Sequence, residues 1–314
     1  MERLRFIDLF CGIGGFRVAF EEACRDNGLV EECVFSSDID LFARQTYEAN
    51  FGDIPTGDIT KVDEREVPDH DVLFAGFPCQ PFSIIGQKRG FEDTRGTLFF
   101  EIARILAAKK PKAFVLENVK QLAGHDKGRT LGVILETLRG LGYHVFHKVL
   151  NALDYELPQK RERVIIVGHR APIGFEFPEK RKGYIPLSEI LEASVDESFY
   201  LSDRIREKRQ AAHQSKHFPS IWHENKAGNI SSYPYSCALR AGASYNYLVV
   251  NGERRLTPRE MLRLQGFPDS FKIVLADRHI RKQAGNSVPV RMIEAVLMEL
   301  LPFLVEEPRI TLPK

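Results

Sequence analysis

From Leu4 to Gly168 the chain repeats one unit, a short apolar run followed by a helical pattern, and no other feature constrains its fold as much. Short strands joined by crossover helices build parallel sheets. The runs Leu4–Phe10, Cys33–Ser37, Val72–Ala75, Ala113–Glu117, Tyr143–Leu150 and Val164–Gly168 read as strands, with helices near Phe16–Asn27, Leu98–Ala108 and Thr130–Leu141. The fold class this predicts is α/β: a doubly wound, Rossmann-like sheet whose ligands gather at the carboxyl ends of the strands.

After Gly168 the rhythm breaks. Pro172, Pro178 and Pro186 punctuate a polar stretch, and from Arg204 to Ser244 neither strand nor helix period persists, which marks a second, smaller, irregular domain. Patterning resumes at Thr257–Gln265, where Thr257 reads as an N-cap, Pro258 as a first-turn residue and Glu260 as the capping-box acid. A last amphipathic helix, Val288–Leu304, is expected to pack back on the large domain. The domain reading is therefore 1–172 completed by the helix in 283–304, with 173–282 as the second region and hinge.

Hydrophobic residues make up 43% and charged residues 28% of the 314, a balance that suits a soluble globular protein. No run of eighteen apolar residues occurs, and Met1–Arg5 is a short charged lead rather than a signal peptide, so no membrane partner and a cytoplasmic location are expected. The five cysteines, Cys11, Cys24, Cys33, Cys79 and Cys237, are odd in number and lack ligand spacing. Neither a disulfide framework nor a metal site is expected from them. A net charge of +1 gives no whole-molecule sign of a nucleic-acid partner, although the stretch from Arg254 to Lys282 is locally basic.

Two stretches along the carboxyl edge of the expected sheet carry chemistry. At one, the first strand runs into Asp8-Leu9-Phe10-Cys11-Gly12-Ile13-Gly14-Gly15-Phe16, a glycine turn that lets backbone approach a ligand. It is not the GxGxxG of dinucleotide folds. Asp38, closing the second strand, can accept from both hydroxyls of a ribose; Asp58 can accept from an adenine amine; Asp40 reads as a helix N-cap. At the second, Gly76-Phe77-Pro78-Cys79-Gln80-Pro81 follows a strand, so Cys79 stands at the sheet's carboxyl edge between two prolines. A free thiol is only a few per cent thiolate at neutrality, so a nucleophilic Cys79 requires nearby positive charge or a proton acceptor. Glu117 closes the fourth strand and could act as a general acid. In Gln159-Lys160-Arg161-Glu162-Arg163, an extended backbone would put Arg161 and Arg163 on one side.

These residues resemble the ordered motif set of bacterial cytosine-C5 DNA methyltransferases of type II restriction-modification systems. The glycine turn Asp8–Phe16, Pro78-Cys79-Gln80, Glu117-Asn118-Val119, Gln159-x-Arg161-x-Arg163 and Gly285-Asn286-Ser287-Val288 occur in that family's order. The resemblance fades between Pro172 and about Gly252, as in the family's variable target-recognition region. It implies that Cys79 adds to C6 of a flipped cytosine, that Glu117 holds and protonates N3, that Arg163 binds O2 and that Arg161 orients Glu117 or a phosphate. It also implies S-adenosylmethionine as cofactor, contacted by Phe10, Gly12, Ile13, Gly15, Asp38, Ile39, Asp58, Ile59, Pro78 and Asn286. Double-stranded DNA is the implied substrate, with Gln80 and Arg240 as DNA contacts; the protein is expected to be a monomer paired in function with a restriction endonuclease. The same chemistry on transfer RNA is the nearest rival reading, and a nucleotide-dependent oxidoreductase or an inactive DNA binder are rivals of other classes. Offered labelled methyl donor, the protein should label duplex DNA and not transfer RNA, and scintillation counting of the two polymers separates these outcomes.

Overall fold

The computed structural model describes residues 3–78, 98–181, 183–225, 227–244 and 246–305. The chain divides into two compact units, the first formed by Met1–Leu150, Glu162–Glu179 and Ile293–Lys314, the second by Asn151–Arg161 and Lys180–Met292.

In the first unit the chain runs β1 (Arg3–Leu9), α1 (Gly15–Asp26), β2 (Val30–Ser37), α2 (Leu41–Phe51), β3 (Val72–Gly76), α3 (Leu98–Lys109), β4 (Ala113–Val119), α4 (Gln121–Gly124), α5 (Arg129–Gly140) and β5 (His144–Asn151). The two-residue β6 (Gln159–Lys160) then belongs to the second unit, and β7 (Glu162–His169) returns to the first. The sheet order is β2-β1-β3-β4-β7-β5. β1 pairs parallel with β2 and β3, and β3 with β4, so their carboxyl ends share one edge.

Both faces of the sheet are covered, which explains the unbroken apolar runs of its inner strands. On one face Ile7, Leu73, Leu116 and Ile166 pack with Phe99, Ile102 and Leu106 of α3 and Ile134 and Leu138 of α5. On the other, Phe16 of α1 stacks on Phe74 at 5.4 Å between centroids, and Phe20 meets Phe6 edge-on at 5.1 Å. This is the expected doubly wound architecture. One strand departs from it: β7 lies antiparallel to β4. A parallel return requires a crossover of a dozen residues, generally a helix, and between β5 and β7 the chain holds only a 3-10 turn at Ala152–Asp154 and β6.

The second unit continues with α6 (Leu187–Ile190), α7 (Asp203–Ala212), β8 (Ile221–Glu224), β9 (Ile230–Tyr233), β10 (Ser236–Cys237), β11 (Leu248–Val250), β12 (Arg254–Arg255), α8 (Pro258–Gln265) and α9 (Asp277–Asn286). α10 (Val290–Val305) starts in this unit and ends in the first. An antiparallel sheet of order β12-β11-β8-β9 packs Ile221, Leu248 and Val250 against Leu187, Leu239, Leu256 and Leu264. The expected capping box on α8 is present: Thr257 accepts from the Glu260 N–H, and Glu260 accepts from the Thr257 N–H at 2.9 Å. The fully buried Glu260 carboxylate is also bridged by both Nη atoms of Arg254, at 2.9 and 2.7 Å.

Other departures have local causes. β2 begins at Val30 rather than Cys33, because Glu31 and Glu32 occupy an edge strand whose half-exposed face tolerates acids. Helix α2 has no strong apolar stripe to announce it, only the Asp40 cap, whose side chain accepts from Phe42 N and Ala43 N. Residues 159–163 are not one continuous strand. β6 pairs with β10 in the second unit, Arg161 intervenes, and β7 starts at Glu162. Residues 151–161 and 283–292 thus group with the second unit, whereas sequence continuity had grouped them with the first.

Phe114 and Gly168 face each other across β4 and β7, and a Cβ on Gly168 would lie 2.1 Å from Phe114 Cζ. Overpacking of this kind costs about 1–3 kcal/mol. Gly168→Ala should lower the thermal midpoint by several degrees, whereas Gly174→Ala, whose added Cβ would meet nothing within 4 Å, should not.

Candidate active site

The parallel register sets the chemical edge. Glu117 on β4 is the register partner of Gly76, the last residue of β3, from which the chain leaves towards Pro78. Arg163, at the start of β7, pairs in register with Val119, which brings its Nε to 2.6 Å from Glu117 Oε1. The two side chains are only 12% and 10% exposed. Removing one partner of so buried a pair typically costs about 3–5 kcal/mol. Arg163 Nη1 also donates to the Glu162 carbonyl at 2.8 Å, which helps to fix the guanidinium plane.

Asn118, not singled out from the sequence, donates from Nδ2 to the Phe77 carbonyl at 2.9 Å, within buried surroundings. It thereby ties the segment leading to Pro78 to the end of β4. The signal available beforehand was its place between Glu117 and Val119. Pro78 is exposed; Cys79 and Gln80 lie outside the described residues. The other four thiols are poor nucleophiles. Burial pushes Cys24 up to about 12, Cys33 up to about 11, and Cys11 and Cys237 upward too, which suppresses their thiolates.

Along the same carboxyl edge, Phe10 (φ 54°), Gly12 (φ 55°) and Gly14 (φ 83°) turn the chain from β1 into α1. Gly14 has no room for a side chain, since a Cβ would lie 2.4 Å from the Phe51 ring. Gly12 has open space before it. Asp38 Oδ2 accepts the Gly12 N–H and Oδ1 the Asp40 N–H, both at 2.8 Å, so the carboxylate holds the glycine turn in place. Ile39 is 75% exposed, an apolar surface beside that carboxylate. Asp58 caps the 3-10 turn Ile59–Lys61, accepting from Thr60 N and Oγ1; those bonds hold its carboxyl below the usual carboxylate range.

Ile13 and Ile59 are buried, and Gly15 opens α1. Beneath the turn, Asp8 is fully buried with neither carboxyl oxygen hydrogen-bonded, and burial pushes it well above the usual carboxylate range. An open glycine backbone, an exposed apolar side chain and two carboxylates fit a nucleoside with a ribose diol and an exocyclic amine.

Two further expected residues belong to the second unit. Arg161, 1% exposed, donates to the carbonyls of Leu239 at 3.0 Å, Gly285 at 3.1 Å and Ser287 at 2.7 Å, all in the second unit. Arg163 alone of the two arginines is paired with Glu117 in the described contacts. Asn286 ends α9, also in the second unit. Arg240 is exposed, with its backbone N–H donated to the Tyr247 hydroxyl at 2.9 Å. Among the described residues no group of three or more His, Cys, Asp or Glu is placed to hold a metal, and no helix is long and apolar enough to cross a membrane.

The model of the C-5 cytosine-specific DNA methylase family matches residues 4–301. Type II methyltransferase M.NgoBI of Neisseria gonorrhoeae is 61% identical over 292 residues, covering 92% of this chain and 90% of its own. Type II methyltransferase M.HaeII of Haemophilus aegyptius is 55% identical over 300 residues, covering 94% and 92%. The crystal structure of S. pombe Dnmt2 methyltransferase shares the fold, with a TM-score of 0.73 at 20% identity over 96% of this chain and 99% of that one. The chain belongs to the C-5 cytosine-specific DNA methylase family. It is a DNA (cytosine-5-)-methyltransferase, and its methyl donor is S-adenosylmethionine.

Charge-assisted hydrogen bonds typically contribute about 1.5–3 kcal/mol. Asp38→Ala removes the acceptor that holds the Gly12 N–H, and if that carboxylate also receives the ribose, calorimetry should show the Kd for S-adenosylmethionine rising by about tenfold or more. Asp58→Ala should weaken the cofactor as well, with far-ultraviolet circular dichroism unchanged for both.

Proposed function

We propose that this chain methylates C5 of a flipped-out cytosine within a short duplex sequence through a covalent bond between Cys79 and C6. The observation that carries the reading is the Glu117–Arg163 pair at the end of β4, beside the Phe77 carbonyl that Asn118 holds. C5 of cytosine is too weak a nucleophile to take a methyl group until something adds at C6, and within a duplex both ring faces are stacked. The base must therefore leave the helix, at a cost of a few kcal/mol.

The Cys79 thiolate forms the S–C6 bond. The electron pair of the C5–C6 double bond shifts through the ring towards N3, where Glu117 delivers a proton and leaves an enamine nucleophilic at C5. S-adenosylmethionine, when bound, supplies the methyl group that C5 takes up. A base then takes the C5 proton, the C5–C6 double bond re-forms as the S–C6 bond breaks and releases the Cys79 thiolate, and the N3 proton returns to Glu117, which restores the ring. Arg163 donates to O2 in this reading, its contact with Glu117 fixes the carboxyl, and both disperse charge that develops on the ring.

Phe10, Gly12, Ile13, Gly15, Asp38, Ile39, Asp58, Ile59, Pro78 and Asn286 are the cofactor contacts in this reading. That unit carries target recognition, and Gln80 and Arg240 contact DNA. The protein acts as a cytoplasmic monomer that shields host DNA from a partner restriction endonuclease.

The covalent step is directly testable, because fluorine at C5 cannot depart as the proton does. DNA carrying 5-fluorocytosine at the target should form a denaturation-resistant adduct in the presence of S-adenosylmethionine, visible as a shifted band on a denaturing gel. Cys79→Ser should lose the adduct and nearly all methylation while still binding cofactor; the Cys11, Cys24, Cys33 and Cys237 serine variants should keep it. Peptide mapping of the adduct to any other cysteine defeats the mechanism.

A further inference from the structure

The turn that begins at Arg240 is fastened along its length within the second unit. Just before it, the Leu239 N–H donates to Gln159 Oε1, and the Leu239 carbonyl accepts from Arg161, each at 3.0 Å. The turn closes on itself with Ala243 N donating to the Arg240 carbonyl at 3.3 Å. Arg281, on α9, donates through Nη2 to the carbonyls of Ala243, at 3.0 Å, and Ser244. Gly285, one turn further along α9, seats the backbone so closely that a Cβ there would lie 2.4 Å from Ala241 N.

Tyr247 joins the backbone and the side chain of Arg240. Its hydroxyl accepts the Arg240 N–H at 2.9 Å, and the Arg240 guanidinium lies 4.8 Å from its ring centroid. The Arg281 guanidinium lies 5.8 Å from the same centroid. Tyr247 is only 7% exposed, whereas Arg240 is exposed and, among the described residues, has no carboxylate ion-paired with it. An arginine on a freely rotating stem loses much conformational freedom when it binds. One stacked on a buried ring, with its own N–H held by the same tyrosine, is ordered beforehand and loses less.

We infer that Tyr247 and Arg281 are positioning residues for sequence recognition, which preset the Arg240 fork for two parallel hydrogen bonds to O6 and N7 of a guanine. The inference rests on the reading of Arg240 as a contact to the target site. Guanine is favoured over phosphate because a planar fork held in one orientation matters where two acceptors lie in a plane, and little where a single diffuse charge is to be neutralised.

The test uses the full-length enzyme on the duplex site found methylated in host DNA, with each guanine replaced in turn by 7-deazaguanine, which lacks the N7 acceptor. For wild type, kcat/KM should fall at one guanine by about fivefold or more. Arg240→Gln should erase that discrimination. Tyr247→Phe, which keeps the ring and removes the acceptor for the Arg240 N–H, should shrink it by about three- to tenfold, and Arg281→Gln should shrink it likewise, with Kd for S-adenosylmethionine and the thermal midpoint as folding controls. If Arg240→Gln erases the discrimination while Tyr247→Phe and Arg281→Gln retain all of it, the positioning inference is wrong and the Arg240 contact stands. If Arg240→Gln retains it at every guanine, both fail. Equal losses on all duplexes with a shallower salt dependence would make Arg240 a phosphate contact and overturn the guanine assignment.

Discussion

A carboxylate and a guanidinium that are both about nine-tenths out of water can persist only if each is the other's partner, and Glu117 and Arg163 meet that condition at 2.6 Å. Their pairing depends on the architecture around them. Glu117 is carried by an inner strand and Arg163 by a neighbour that runs the opposite way, so the start of β7 lies beside the end of β4. Had β7 been parallel, its first residue would lie at the far edge of the sheet, and Arg163 could not reach the carboxyl. The lack of a crossover helix between β5 and β7 is therefore what places a permanent positive charge at the chemical edge.

The glycine turn poses a related problem with a different solution. Phe10 and Gly12 both sit at positive φ, and for a residue with a side chain such a conformation persists only where its surroundings enforce it. Asp38 supplies part of that enforcement by accepting the Gly12 N–H, and the Cys11 N–H donates to the Ser37 carbonyl at 3.0 Å. A residue assigned to the ligand is thus also a structural tie, and loss of cofactor on its substitution would have two physical sources.

The Gln-x-Arg-x-Arg segment shows how adjacent residues can serve separate units. Gln159 is fully buried and bonds to the Leu239 N–H and the Leu264 carbonyl, and Arg161 bonds to three further carbonyls of the second unit. Arg163, two residues on, belongs to the first unit and to Glu117. Only the last of these side chains bears on the reacting base in the proposed mechanism; the other two organise the segment that leads into Arg240.

Much of this was legible in the chain. Local periodicity gave the sheet and the helices flanking it, Thr257, Pro258 and Glu260 gave the start of α8, and Asp40 gave that of α2, because strand, helix and cap preferences act within a few residues. The order of Pro78-Cys79, Glu117-Asn118 and Arg163 was enough to point to the family. Periodicity could not reveal that β7 runs against β4, that residues 151–161 leave the first unit, or that Asn118 holds the Phe77 carbonyl. Nor could it show that the Arg161 guanidinium turns to carbonyls as much as 126 positions away. Those features are pairings between segments distant in sequence, and only packing in three dimensions selects which donor meets which acceptor. The sequence by itself determined the elements, the class of chemistry and the residues able to perform it; the tertiary structure decided which charges are buried together and which arginine faces which partner, because burial and hydrogen-bond geometry exist only once the chain has folded.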